Sequence, residues 1–306
     1  MRFMTSQEAQ FRASTYPLYT ETCAKLQTIF AELKKAEEIG QEGLNSSFIG
    51  RLFVSVVDVF TGLALTFKSN MTRFYKSVKR SELHEFIDSN KVKTAVVYRI
   101  PFEKVYDYNI DVPANLGGTY KEAITAVENV FIKLNAVPIA QATLASLKNI
   151  LRAMTTADPG VSDLISTSSN VIDRQVKVVK PVVLECQKNF SGKFAEKKQF
   201  KDVFLTVAEL RDCVDKLLAL EPRLQDAHKL NGFVTEMEQV LKGMVKTIET
   251  TPENQKHLTP KELTQLGETA KGTALLFDAY GLAAMRQLAL EHNLVLDINN
   301  IYANVK

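Results

Sequence analysis

The chain has no tryptophan, only three cysteines and four histidines, and 9 prolines and 13 glycines in 306 residues. Each scarcity removes a class of answer. Cys23, Cys186 and Cys213 are far apart, odd in number and form no C-x-x-C pair. Neither a disulfide framework nor a cysteine-built zinc site is expected, and all three read as small buried hydrophobes. No two histidines stand within helical reach of each other, so H-E-x-x-H is missing. So few prolines and glycines leave room for long unbroken elements. The opening "MRFMTSQEAQF" lacks the apolar run of a signal peptide. The expected setting is a reducing compartment, with the product cytoplasmic or virion-borne and not secreted.

Phosphate chemistry is poorly provided for as well. Gly192-Lys193 in "FSGKF" lacks the first glycine and the following Ser/Thr of a P-loop. Gly117-Gly118, just ahead of "TYKE", read as a tight turn before a helix cap. His84 and Asp88 in "ELHEFID" are one turn apart, with one imidazole between them. No catalytic residue, metal or cofactor is expected, and the chain is read as non-enzymatic.

What is present is an ordinary globular composition, 45% hydrophobic and 24% charged. The most apolar stretch is "RLFVSVVDVFTGLALTF", residues 51–67. On a helix, Ile49, Leu52, Phe53, Val56, Phe60, Leu63, Phe67, Met71 and Phe74 form one stripe. Arg51, Ser55, Asp58, Gly62, Thr66, Ser69 and Arg73 form the opposite one. A membrane span needs about 20 apolar residues. Here 16 separate Arg51 from Lys68, and an ionised Asp58 at mid-span would cost ~2.5–3.5 kcal/mol. A core helix with a narrow wet stripe is expected, with no membrane span.

Helical periodicity recurs along most of the chain. A capping pair, Thr5 and Glu8, opens the first segment. Pro17 is expected to restart it, with Tyr19, Cys23, Leu26, Phe30 and Leu33 on one face up to Gly40. "SELHEFIDSN" reads as a short helix. "KTAVVYRIPFEKVYDYNIDVPANLGG" is rich in β-branched residues and tyrosine, and predicts one or two short strands within a long ordered loop suited to docking. "TYKE" starts a helix that Pro138 should break, giving a helical hairpin with Leu144, Leu147, Leu151 and Met154 on its second arm. A segment from Val161 to about Phe190 follows, kinked at Pro181. Two further helices are expected, one on Phe200, Phe204, Val207, Leu210, Val214 and Leu217, the other on Leu230 through Ile248. Thr259, Pro260 and Glu262 sign the last helix, which should run to about His292 and leave an extended arm. The expected fold is all-α, a multi-helix bundle with a small irregular, β-containing insertion. Its regions are 1–90, the insertion 91–118, a bundle over 119–293, and the arm 294–306.

Charge is unevenly spread. Residues 1–201 carry 27 Lys/Arg against 20 Asp/Glu, and residues 202–306 carry 11 against 15. Two basic clusters stand out. One is Lys68, Arg73, Lys76, Lys79 and Arg80. The other includes Arg174, Lys177, Lys180, Lys193, Lys197, Lys198 and Lys201, interleaved with Phe190, Phe194 and Phe200. These twelve cations are the candidate contacts. Long amphipathic helices and opposed charge point to a structural or assembly protein, a subunit of a large complex such as a tailed-phage virion. Its partners would be other subunits, its own copies among them. The alternative is a protein that holds nucleic acid without sequence preference, through the same cations and aromatics.

Overall fold

A computed structural model describes residues 3–39, 46–80, 107–113, 119–156, 158–190, 195–204, 206–250 and 258–305. Among them are eight helices and one two-stranded antiparallel sheet, so the fold is the expected all-α bundle with a small β element. In chain order these are α1 (Phe3–Ile39), α2 (Ser46–Arg80), β1 (Asn109–Pro113), α3 (Tyr120–Leu134), α4 (Ala136–Thr155), α5 (Val161–Phe190), β2 (Ala195–Gln199), α6 (Phe200–Val203), α7 (Val207–Thr250) and α8 (Pro260–Val305).

The last helix is the axis of the molecule. Thr259 and Glu262 cap it reciprocally: the Thr259 amide donates to Glu262 Oε2 at 2.7 Å and the Glu262 amide to Thr259 Oγ1 at 3.4 Å. From Leu263 to Ala284 nearly every position is buried, including Leu266, Ala270, Ala274, Phe277 and Ala283. A helix apolar all round has to lie inside a bundle. Around it α1, α2, α7, α4 and α5 follow one another as packed neighbours, and α3 fits against α5, α7 and α8. Small residues let the outer helices come close. A Cβ at Gly267 would stand 2.6 Å from Phe30 Cε1 of α1, and one at Gly272 would stand 2.7 Å from Ile172 Cγ2 of α5. Between α1 and α5, which do not pack on each other, the exposed residues Lys261 and Glu268 mark the wet line of α8.

The stretch over residues 51–67 lies on α2 and divides as its periodicity predicts. Ile49, Leu52, Phe53, Val56, Phe60, Leu63 and Phe67 are buried against α1, α7 and α8, and Phe67 stacks on Phe277 with ring centres 4.2 Å apart. Arg51, Asp58 and Ser69 face outward. Thr66 satisfies its hydroxyl by donating to the Gly62 carbonyl at 2.7 Å. By length and composition, Phe48–Asn70 and Tyr120–Thr155 are each apolar enough to cross a membrane, and about half of each is buried inside the molecule.

Several expectations need correction. The first helix is continuous through Pro17, and its buried line is Leu18, Thr22, Leu26, Ile29, Leu33 and Ala36, offset from the predicted face that includes Tyr19, Cys23 and Phe30. The helices after Thr119 form no hairpin. Asn135, in the left-handed region at φ 41°, ends α3, and Pro138 sits in the first turn of α4, where a missing N–H costs nothing. α3 then packs on α8, α5 and α7, whereas α4 packs on α7 and α5. The two helices expected over 200–248 are one helix, α7, which passes through Pro222, and Phe200 and Phe204 lie ahead of it. The extended arm at 294–306 is instead a continuation of α8 to Val305, with Leu294 buried.

The insertion reaches the core through its described end. Ile110 and Val112 of β1 are buried, and β1 pairs with β2, Ile110 opposite Lys198 and Asp111 opposite Lys197. The Phe200 amide donates to the Tyr108 carbonyl at 2.7 Å, and Phe204 stacks between Phe200 and Tyr120. The helix expected at 81–90 and the remainder of the insertion, Gly117 and Gly118 included, lie outside the described residues.

Candidate functional site

The first basic cluster occupies the C-terminal half of α2. Lys68 is half-buried and close enough to α7 to act on Glu238. That carboxyl is held below its ordinary value chiefly by the hydrogen bond from Lys242 at 2.6 Å, with the Lys68 charge adding to it. The side chains of Arg73, Lys76, Lys79 and Arg80 lie outside the described set. The second cluster divides among three elements. Arg174, Lys177 and Lys180 are exposed on α5, and Lys197 and Lys198 lie on β2. Lys201, on α6, pairs with Asp107 at 2.9 Å; Lys193 lies outside the described residues. Lys177 is paired with Asp173 at 2.7 Å. Among the described residues, α2 and α5 both pack on α8 and make no substantial contact with each other. Nor do Phe200 and Phe204 offer a stacking platform, because both are buried.

What the periodicity did not single out is the outer surface of α4 and α5. Val171, Val178 and Leu184 are 42%, 62% and 51% exposed, three of the five large hydrophobics standing open among the described residues. They share the outward half of α5 with Arg174, Lys177 and Lys180. Beside them α4 contains no acid at all, only Lys148 and Arg152. Between the helices lies a small hollow with room for about one water molecule, lined by Ala142, Thr143 and Ser146 of α4 and Ser168 and Val171 of α5, with Leu266 of α8 behind it. Among the described residues Thr143 Oγ1 has no hydrogen-bond partner, although the residue is 4% exposed. Other mid-helix threonines, Thr125, Thr235, Thr264, Thr269 and Thr273 among them, donate to the carbonyl one turn back.

A second unusual group lies in the α1–α8 interface. Asp278 is 1% exposed; its Oδ2 accepts from the Tyr19 amide at 3.0 Å, and its Oδ1 has no partner among the described residues. A proline inside a helix loosens the adjoining turn, and Tyr19 is two residues past Pro17. Burial pushes the Asp278 carboxyl up to about 8, the Tyr19 amide opposing and Glu21 adding to the rise. Burial likewise raises the Tyr19 phenol to about 12 and the Cys213 thiol to about 11. The one available sequence signal for Asp278 was a lone carboxylate within "TALLFDAYGLAA".

Among the described residues no group of three or more His, Cys, Asp or Glu is placed to hold a metal ion. Comparisons with protein-family models, curated proteins and solved structures find no match to this chain.

Proposed function

We propose that this chain is a non-enzymatic structural subunit of a larger assembly and works through protein–protein contacts. The observation that carries the proposal is the outer surface of α4 and α5. Apolar side chains stand open there among cations. Val171 and Val178 lie two turns apart on one line of α5, and exposed apolar side chains beside charge are what a partner subunit would cover. The helices behind it are anchored to the central helix, which gives the patch a rigid backing. A virion is one such assembly. The nucleic-acid alternative has less support, because Lys68, Lys177 and Lys201 already face acids of the same chain.

Mass photometry of the tagged chain in an extract of its native host tests the proposal. The chain is expected in particles of several times its own 34.2 kDa, which shrink when Val178 is replaced by glutamate. Migration at the mass of one chain in that extract overturns the proposal.

A further inference from the structure

We infer that Asp278 is a proton-operated latch on the first helix: while its carboxyl keeps a proton, the turns of α1 beyond Pro17 stay seated on α8, and loss of that proton frees them. Three features of the α1–α8 interface build the latch. Asp278 is 1% exposed, yet only its Oδ2 has a partner among the described residues, the Tyr19 amide at 3.0 Å, and Oδ1 has none. That amide lies two residues beyond Pro17. A proline has no N–H to give and crowds the carbonyl four residues back, so the backbone ladder of α1 is weakest there. The seat of α1 is also uneven. Leu18 and Thr22 are buried beside the latch, whereas Leu26 and Phe30 close on Gly267, where an added Cβ would stand 2.6 Å from the Phe30 ring. The close fit at Gly267 is the pivot, and the turns before it are the part that moves.

The groups around the carboxyl set the sign. On α1 they are Tyr19 and the exposed Glu21, an acid whose charge adds to the cost of ionising Asp278. Cys23, one turn on, acts on the Tyr19 phenol. From α2 comes Phe67, stacked on Phe277, and the adjoining Lys68 acts on Glu238 of α7. From α3 comes Phe131, edge-on to Tyr280, whose hydroxyl donates to the Arg223 carbonyl of α7. Arg286 is buried about two turns further along α8. Among the described residues no cation acts on Asp278. A neutral acid is tolerated in such a place, but a carboxylate answered by one amide is not. Burial accordingly pushes the carboxyl up to about 8 from an ordinary 3.8. The seated helix therefore binds a proton that the released one has lost, so seating is firm below about pH 4 and weakens up to about pH 8. Of the two helices α1 is the one to move. It packs chiefly on α8 and α2, whereas α8 is also held by α3, α5 and α7.

Hydrogen–deuterium exchange of the full chain tests the latch, read by mass spectrometry from about pH 5 to 9 and corrected for intrinsic amide exchange. Protection of the amides at residues 18–24 is expected to fall by about tenfold per pH unit up to about pH 8 and then to level off. Residues 234–248 of α7 should stay far better protected. Asp278→Asn keeps an acceptor for the Tyr19 amide and cannot ionise, so its α1 amides should hold a constant protection. Tyr280→Phe removes a bond to α7 from the same helix and leaves Asp278 in place, so it should keep the wild-type slope. A flat wild-type profile overturns the inference, as does a slope that survives in Asp278→Asn. Equal protection with equal slope in α1 and α7 overturns it too, since Asp278 would then govern unfolding of the whole molecule and not release of one segment.

Discussion

At Gly272 a side chain as small as alanine would put its Cβ 2.7 Å from Ile172 Cγ2 and 2.8 Å from Val176 Cγ2. Both are methyls of β-branched residues, which have little rotamer freedom to retreat. Alanine gains about 1 kcal/mol in helix propensity, while overpacking costs ~1–3 kcal/mol. Gly272→Ala is therefore expected to lower the stability measured by urea unfolding. Gly232, exposed and with nothing within 4 Å of an added Cβ, is the control. There alanine should raise stability by about 1 kcal/mol. At Asp278 the sign follows from burial. The folded state holds its carboxyl up to about 8 against an ordinary 3.8, so between those values the folded chain binds a proton that the unfolded chain has lost. The contribution is complete below about pH 4 and is lost progressively as the pH rises to about 8. Asp278→Asn keeps an acceptor for the Tyr19 amide and cannot ionise. Its melting temperature should fall less than the wild type's between pH 5 and 9, and parallel curves would contradict the assignment.

At the scale of elements, α7 offers the sharpest test. Its apolar spacing lapses between Leu220 and Leu230, which is why two helices are expected from the pattern; the backbone nevertheless continues through an exposed Pro222. A proline in a helix interior removes one backbone hydrogen bond and crowds the turn before it, at a cost of ~3 kcal/mol. Pro222→Ala should therefore stabilise the chain, by about 1–3 kcal/mol in the urea midpoint analysis. Were two helices joined there by a turn, the same change would bring no gain. The caps were readable from local sequence. Thr119 accepts from the Glu122 amide and Thr259 pairs with Glu262 as their spacing predicts, because capping is decided within four residues. β2 was not readable. "AEKKQ" has no β-branched or aromatic residue and becomes a strand only because β1 arrives beside it.

The whole molecule is organised by how much of α8 is enclosed. Leu294 is 1% exposed, on a stretch that its asparagine-rich sequence presents as a free arm. Leu294→Ala should cost ~2–5 kcal/mol by thermal or urea unfolding, as a truncated core leucine does; a truncation in a solvated arm would cost almost nothing. The same enclosure sets α2 and α5 on different flanks of α8. Among the described residues it also leaves the outer side of α5 without a neighbour, and Val171, Val178, Arg174 and Lys180 stand exposed there.

The sequence by itself determined the all-α class, the two-sided character of α2, the buried faces of α3 and α7, and the caps at Thr119 and Thr259. These depend on periodicity and on contacts within a turn or two, which are written locally. Only the tertiary structure decided that Lys197 and Lys198 belong to a strand and that Asp278 is sealed between α1 and α8. It alone placed α4 beside α5. Each of those facts depends on which distant segment excludes water from which, and no local spacing encodes that pairing.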